Sequence, residues 1–459
     1  MTTLLAFIGA IALLVTFHEY GHYWVARRCG VKVLRFSLGF GKVIYSKRFA
    51  GNDTEWVISS IPVGGYVKMV DEREEKVAAE DLPYAFNRKP VLQRMAIVAA
   101  GPLANFLLAI VLYWALFIHG VPGLKPKLGD VPPGTPAAIA QMHAGETIIS
   151  IDGVPVPSWQ ELHWRLLDLV LQPDSGQDLK PGEVRIESQD AGGASLTRVL
   201  DLSGLAAKDM DGDFLGKLGL TLYQPVVMPV IGEVAGGSVA QQAGLRAGDR
   251  ILSANGVAMQ RWMDVVGVLR AHPEETVRLA IQRDGKMLDI AVVPQAVVES
   301  GKKIGKIGAG PQLDKREWQA MMTVDSYGPV EALRHSLRKT WETSAISLEM
   351  MGKMVMGEVS MKNLSGPITI ADYAGQSAKM GAVAYLSFVA LVSISLGVLN
   401  LLPIPLLDGG HLLYYVAELL KGSPVSERSW EIGQKIGIAL LGTLMVFAVY
   451  NDINRFVSG

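Results

Sequence analysis

Long apolar runs alternate with charged stretches, and this pattern divides the chain before any single residue is considered. Four runs are apolar enough to cross a bilayer, which takes roughly 20 residues: about Leu4 to Ala26, Met95 to Ile118, Val383 to Leu402 and Ile436 to Tyr450. Each predicts a membrane helix, the fourth being the shortest. The first could be mistaken for the apolar core of a signal peptide. But no Lys or Arg precedes it, Arg27 and Arg28 follow it, and no small-residue cleavage site comes after, so it is expected to be retained. Between the second and third runs lies a long mixed insert, about residues 119–378. Two of its segments read alike. Gly134-Thr135-Pro136-Ala137-Ala138 is followed by Ala144-Gly145-Glu146-Thr147-Ile148-Ile149-Ser150-Ile151-Asp152-Gly153. Gly237-Ser238-Val239-Ala240 is followed by Ala243-Gly244-Leu245-Arg246-Ala247-Gly248-Asp249-Arg250-Ile251-Leu252-Ser253-Ala254-Asn255-Gly256. Each predicts a small-residue helix start, a strand and a tight hairpin turn. From Tyr327 to Met361 the apolar positions Leu333, Leu337, Trp341, Ile346 and Leu348 follow a helical period. That predicts an amphipathic helix, either packed on the insert or lying at the membrane interface, and ordinary packing is the plainer reading.

Charge then orients the helices. The stretch between the first two runs carries Arg27, Arg28, Lys32, Arg35, Lys42, Lys47, Arg48, Lys68, Arg73, Lys76, Arg88, Lys89 and Arg94, whereas no basic side chain precedes the first run. This stretch is therefore expected in the cytoplasm. The N-terminus, the insert and the C-terminus would lie outside, and the connection from about Pro403 to Trp430 would return to the cytoplasm. Charged residues make up 19% of the 459, below the roughly 25% of soluble proteins. The formal net charge of −1 offers nothing to nucleic acid. A single cysteine, Cys29, excludes an internal disulfide and any multi-cysteine zinc site, so a metal would need His, Asp or Glu.

The first apolar run contains His18-Glu19-Tyr20-Gly21-His22. Residues four apart share a helix face, so both imidazoles can reach one ion with Glu19 beside it as general base. The bland alternative is a helix face that happens to be polar, but ionisable groups inside a membrane segment are costly and usually functional. Zinc hydrolases use three protein ligands and leave one position open. The best third ligand is Asp408, at the end of the third run in Asn400-Leu401-Leu402-Pro403-Ile404-Pro405-Leu406-Leu407-Asp408-Gly409-Gly410-His411. The first and third runs should cross in the same direction, which brings His18, His22 and Asp408 to similar depth. His411 is the rival ligand, and a helix N-cap is the alternative role for Asp408.

His18-Glu19-x-x-His22 with Asn400-x-x-Pro403 and Leu407-Asp408-Gly409 resembles the site-2 protease family of intramembrane zinc metalloproteases. Further matches are Arg35 to Gly41, Pro62 to Met69, Ala100 to Phe106 and Asn363-Leu364-Ser365-Gly366-Pro367. The insert's repeats resemble tandem PDZ domains, with Glu146 in place of the usual Asp of the first copy. The fold expected is an α-helical polytopic membrane protein with a membrane-associated β-hairpin. Its divisions would be 1–118 (two spans and the hairpin), 124–222 and 226–312 (PDZ domains), 313–378 (amphipathic helical linker) and 379–459 (the last two spans). The resemblance implies Zn2+ as cofactor, a bacterial inner membrane and cleavage of single-pass membrane proteins. The expected substrate is an anti-sigma factor already trimmed outside, with remnant signal peptides also possible. It implies that Asn400, with Pro403 and Pro405, borders the substrate. A plain interhelical hydrogen bond is the other reading of Asn400.

In this chemistry zinc activates water and polarises the scissile carbonyl, and Glu19 takes the water's proton and passes it to the leaving amine. A helix hides its peptide bonds, so the substrate must unwind and needs a strand partner; Gly65, Tyr66 and Val67 are the candidates. The PDZ copies could bind a peptide or only block access. Two other classes compete. A PDZ-bearing membrane scaffold would need no metal. A metal transporter would need polar groups across the whole bilayer, whereas the recognisable ligands gather at one end.

Overall fold

The computed structural model describes residues 2–458 except 50–52, 172–179, 181, 205–213, 300–301 and 358–365. Residues 363–365 of the Asn363 to Pro367 motif thus lie outside the described residues. The chain forms two compact units, Met1–Val121 with Ser326–Gly459, and Pro122–Asp325.

In the first unit we label α1 (Thr2–Arg28), β1 (Val33–Arg48), β2 (Glu55–Met69), α2 (Val91–His119), α3 (Pro329–Met356), α4 (Pro367–Met380), α5 (Ala382–Leu401), α6 (Asp408–Lys421) and α7 (Glu427–Ser458). Among the described residues four helices are long and apolar enough to span a membrane: Thr2–Arg28, Val91–His119, Ala382–Leu401 and Arg428–Asn454. The fourth extends well beyond the sequence estimate of Ile436 to Tyr450. Its helix continues through Glu431 and Lys435, residues that end the apolar run but not the backbone period.

α1 and α5 run parallel. The Tyr385 hydroxyl near the start of α5 donates to Ala6 O near the start of α1 (2.7 Å). Past the end of α5, Asp408 reaches the imidazoles in the second half of α1. α2 runs opposite to both, and Leu108 packs with Ala10, Leu14 and Val389. Gly21 makes the α1–α2 crossing close: a Cβ there would collide with Ala100 O and Ala104 Cβ. Small residues at a membrane crossing let backbones approach where no hydrophobic effect drives them together.

β1 and β2 are more than a simple hairpin. Arg35 to Leu38 pair with Glu55 to Ile58 on one side and with Gly65 to Lys68 on the other, while Val43 to Arg48 pair back on Glu55 to Ser59. The segments therefore lie in the order 43–48, 55–59, 35–38, 65–69. Gly39 and Gly41, at φ +88° and +87°, and Gly64 at +105° supply the bends. Among the described pairings, the segment 65–69 has a neighbour on one side only.

The amphipathic helix forms, as α3, but its apolar stripe does not pack. Ala332, His335, Ser336 and Thr340 are buried, while Leu333, Leu337, Trp341, Ile346 and Leu348 are exposed. Small side chains face the neighbouring helices and large apolar ones face outward, the reverse of a helix in water and the pattern of one bordered by lipid. α4 was not read as a separate element. The carboxylate of Asp452 on α7 fixes its start by accepting from the amides of Gly366 (3.0 Å), Ile368 (2.8 Å) and Thr369 (3.2 Å).

The second unit repeats one design. Val154–Pro155, Thr147–Ile151, Glu183–Gln189 and Ser195–Asp201 form one antiparallel sheet in that order. Val257–Ala258, Arg250–Ala254, Val277–Arg283 and Lys286–Val292 form the other. A helix crosses in each copy, Trp159–Leu171 and Trp262–Ala271. Both predicted turns form with two successive positive φ values, 48° and 75° at Asp152-Gly153 and 48° and 82° at Asn255-Gly256. Glu146 receives Arg198 (2.6 Å) as Asp249 receives Arg283 (2.7 Å), so the longer acid does the same work in the first copy. Burial alone would raise the Asp249 carboxyl, but Arg283 and the Arg246 amide hold it below the usual carboxylate range.

Candidate metal centre

Three donors converge in the first unit. His18 Nε2 is 3.2 Å from Asp408 Oδ2, His22 Nε2 is 3.5 Å from Asp408 Oδ1, and the two Nε2 atoms are 3.2 Å apart. A tetrahedral ion bound at about 2.1 Å holds its donors about 3.4 Å apart. Two imidazole nitrogens and one carboxylate oxygen at these separations fit zinc, with one position left open. Among the described residues this is the group of three or more His, Cys, Asp or Glu able to hold a metal, and His411 is not in it. Both imidazoles are 9% exposed, so the centre is nearly closed to solvent.

The sequence builds this geometry locally. His18 and His22 stand one turn apart on α1. Asp408 is the first residue of α6, with Leu407 at the cap position, and the helix start favours its charge. The turn before it is strained: Leu406 has φ +93°, a setting that costs a residue with a Cβ about 1–3 kcal/mol. Close packing sustains that strain. A Cβ at Gly409 would strike the Leu401 and Leu402 carbonyls, and one at Gly410 the Ile404 carbonyl. Behind this turn, Pro405 seats its carbonyl against Gly437 of α7.

α2 supplies supports that were not read from the sequence as functional. His22 Nδ1 donates to Ile97 O (2.8 Å). Asn105, fully buried, brings its carboxamide within 3.1 Å of His18 Nδ1. Gly101 leaves room for the His22 ring, because a Cβ there would overlap Nε2, Cε1 and Cδ2. The signal was present in the Ala100 to Phe106 match: a glycine and an asparagine inside an apolar run.

Glu19, His22 and Asp408 line a cavity of about 520 Å3, together with Val67, Met69, Asp71, Arg73, Arg94, His411, Tyr415 and Glu418. Arg94 and Glu418 pair at 2.7 Å in its wall, 9% and 11% exposed. Gly65 borders the catalytic candidate directly, since a Cβ on it would stand 3.2 Å from Glu19 Cγ. Tyr66 stacks on Phe40, with ring centroids 6.1 Å apart. Asn400 is half-buried in the last turn of α5, and Pro403 is exposed on the connection that follows. The structure thus gathers His18, Glu19, His22, Gly65, Val67 and Asp408, whereas Tyr66, Asn400, Pro403 and Pro405 are not among the residues lining this cavity.

Residues 6–444 match Peptidase family M50. The chain is 42% identical over 452 residues to the regulator of sigma-E protease RseP of Salmonella typhimurium, covering 98% of both proteins. It is 41% identical over 454 residues to RseP of Escherichia coli, again covering 98% of both. A Neisseria meningitidis protein bearing the name zinc metalloprotease is 44% identical over 460 residues, covering 100% of both. Similarity at this level from end to end matches the chemistry of the donor set, and the chain belongs to peptidase family M50, the site-2 proteases, as a zinc-dependent protease of the membrane.

Proposed function

We propose that His18, His22 and Asp408 hold the zinc, that Glu19 is the general base, and that the protease cuts single-pass membrane proteins of the anti-sigma factor type within or beside their spans. The carrying observation is the convergence of two imidazoles and a carboxylate, from helices far apart in sequence, at the donor separations of one ion. When bound, zinc activates the water and polarises the scissile carbonyl. The chain's own residues do the rest. Glu19 takes the proton and later delivers it to the leaving amine, and the nearly closed site strengthens every charge interaction. Asn400 steadies the substrate backbone, with Pro403 and Pro405 shaping its path. The reading is tested by zinc content of purified protein. Asp408→Ala and His22→Ala should each retain little zinc and no cleavage; full zinc in either would overturn the ligand assignment.

Among the described pairings the segment 65–69 is paired on one side only, and it adjoins Glu19, which supports its use as the strand that receives an unwound substrate. Gly65, Tyr66 and Val67 would provide that edge. We read the two repeats of the second unit as PDZ domains, about 124–222 and 226–312, acting outside the inner membrane with both chain termini. There they would admit substrates already trimmed. Deletion of residues 127–312 should then increase cutting of untrimmed substrate, and unchanged cutting would remove the filter role.

A further inference from the structure

We propose that Asn105 is a positioning residue for the metal: its carboxamide oxygen accepts the Nδ1–H of His18 and so fixes the tautomer that leaves Nε2 free to bind zinc. The inference rests on His18 being a ligand, as proposed above, and goes beyond it to the group that holds it.

The argument begins with the His18 ring. Its Nε2 faces the other donors, 3.2 Å from His22 Nε2 and 3.2 Å from Asp408 Oδ2, so Nε2 is the metal-facing nitrogen. A neutral imidazole that binds through Nε2 carries its proton on Nδ1. That N–H is buried and needs an acceptor. The polar group beside it is the Asn105 carboxamide, 3.1 Å away through Nδ2, on a residue with 0% exposure. An amide N–H directed at Nδ1 would require a lone pair there, would place the proton on Nε2, and would close the site to metal. The Asn105 Oδ1, by contrast, is buried without a hydrogen-bond partner among the described residues. The two ends of a carboxamide have the same shape, and the hydrogen-bond network decides which faces a neighbour. Turning the amide end for end gives His18 Nδ1–H its acceptor and moves the unpartnered place to the amide nitrogen.

Two further observations fit. His22, the other imidazole, already has this arrangement: its Nδ1 lies 2.8 Å from Ile97 O, a group that can only accept. Both rings are thus steadied from α2 on the side away from the metal, the usual arrangement for histidine ligands. And the position of Asn105 is itself fixed, because the fully buried Ser393 of α5 donates its hydroxyl to the Asn105 main-chain carbonyl at 2.7 Å.

The experiment compares wild type, Asn105→Leu, Asn105→Asp and His18→Ala as full-length protein in detergent. It measures zinc affinity by competition with a chromophoric chelator, the visible spectrum of the Co2+-loaded forms, and the thermal midpoint of the metal-free forms. Asn105→Leu should lose about 10- to 100-fold in zinc affinity and shift the Co2+ bands. Its metal-free form should stay folded with a somewhat lower midpoint, since Nδ1 of His18 is left buried without a partner, so the Co2+ bands and the Asn105→Asp comparison separate positioning of the metal from this structural loss. Asn105→Asp, whose carboxylate accepts, should keep zinc affinity within about threefold and keep the wild-type Co2+ spectrum, because carboxylates serve as second partners of ligating histidines. Wild-type affinity in Asn105→Leu, with affinity lost in His18→Ala, would overturn the role of Asn105 while sparing the ligand assignment. An equal loss in Asn105→Asp and Asn105→Leu would overturn the acceptor role. Wild-type affinity in His18→Ala would overturn the zinc-site reading on which the inference stands.

Discussion

Gly101→Ala separates the helix from the metal centre it supports. α2 runs unbroken through position 101, so on helix propensity alone alanine should stabilise it by about 1 kcal/mol. The metal centre sets the opposite limit. A Cβ on residue 101 would stand 2.6 Å from His22 Cε1 and 2.8 Å from Cδ2, and closer still to Nε2, where ordinary contact begins at 3.4 Å. The ring must therefore retreat by more than about 0.8 Å, the difference between 3.4 and 2.6 Å at Cε1, since Nε2 stands closer. Metal–ligand distances tolerate about 0.2 Å, so the shift exceeds the tolerance several-fold. The ring cannot swing away freely, because its Nδ1 is tied to Ile97 O at 2.8 Å. Loss of a well-placed supporting group costs 10- to 100-fold in metal affinity, and displacing a ligand should reach at least the upper end. The expected variant is folded with wild-type helix content, and its metal-free thermal midpoint is modestly lower, since overpacking against the ring costs about 1–3 kcal/mol and the helix gain offsets about 1 kcal/mol of that. Its zinc affinity should be about 100-fold weaker, and its cleavage restored in part by excess zinc. Chelator competition and thermal unfolding on one preparation decide the matter. Wild-type zinc affinity with wild-type cleavage in Gly101→Ala would refute the claim that the glycine makes room for the His22 ring.

Other expectations follow from the same geometry. Successive N–H groups of a strand point to opposite sides, so of proline at Tyr66 and proline at Val67 one removes an N–H from the edge that is unpaired among the described pairings. There cleavage of a single-span substrate should fall at least tenfold with zinc content unchanged, and unchanged cleavage in both variants would remove strand addition from the account. Glu418→Gln leaves Arg94 unpaired in the cavity wall. Breaking a buried pair costs about 3–5 kcal/mol, so thermal unfolding should come markedly earlier, and an unaltered midpoint would show that the pair contributes little. In the second repeat, the Asp249 carboxyl is held low by Arg283. A depressed folded pKa adds stability that is present above the unfolded value of about 3.9 and is lost as pH falls through the folded one. Protease resistance of that repeat should therefore decline below about pH 4 in wild type, and Asp249→Asn should be susceptible already at pH 7; identical pH profiles would contradict the pairing argument.

The candidate metal centre was legible because its residues are local or unusual in their surroundings. His18, Glu19 and His22 fall within one turn of a helix, and ionisable groups in an apolar run announce themselves. Asp408 could be placed because parallel spans bring distant segments to one depth. Several features escaped. The pairing of 35–38 with strands on both sides depends on contacts between segments that no local period encodes, and Gly39, Gly41 and Gly64 mark only where the chain bends. The apolar stripe of α3 has the same sequence period whether it faces a protein core or lipid, so the period could not say that the small residues Ala332, Ser336 and Thr340 face inward. Gly101 and Asn105 were noticed only as part of a resemblance. Their importance comes from which ring each faces, and that is set by the antiparallel approach of α2 to α1.

The central claim is that Glu19 performs acid–base chemistry beside a zinc it does not bind. The most direct measurement is cleavage of a single-span substrate by purified wild type and Glu19→Gln, with zinc content determined on the same samples. The account expects equal zinc in both and no product from Glu19→Gln. Product from Glu19→Gln at the wild-type rate would contradict it.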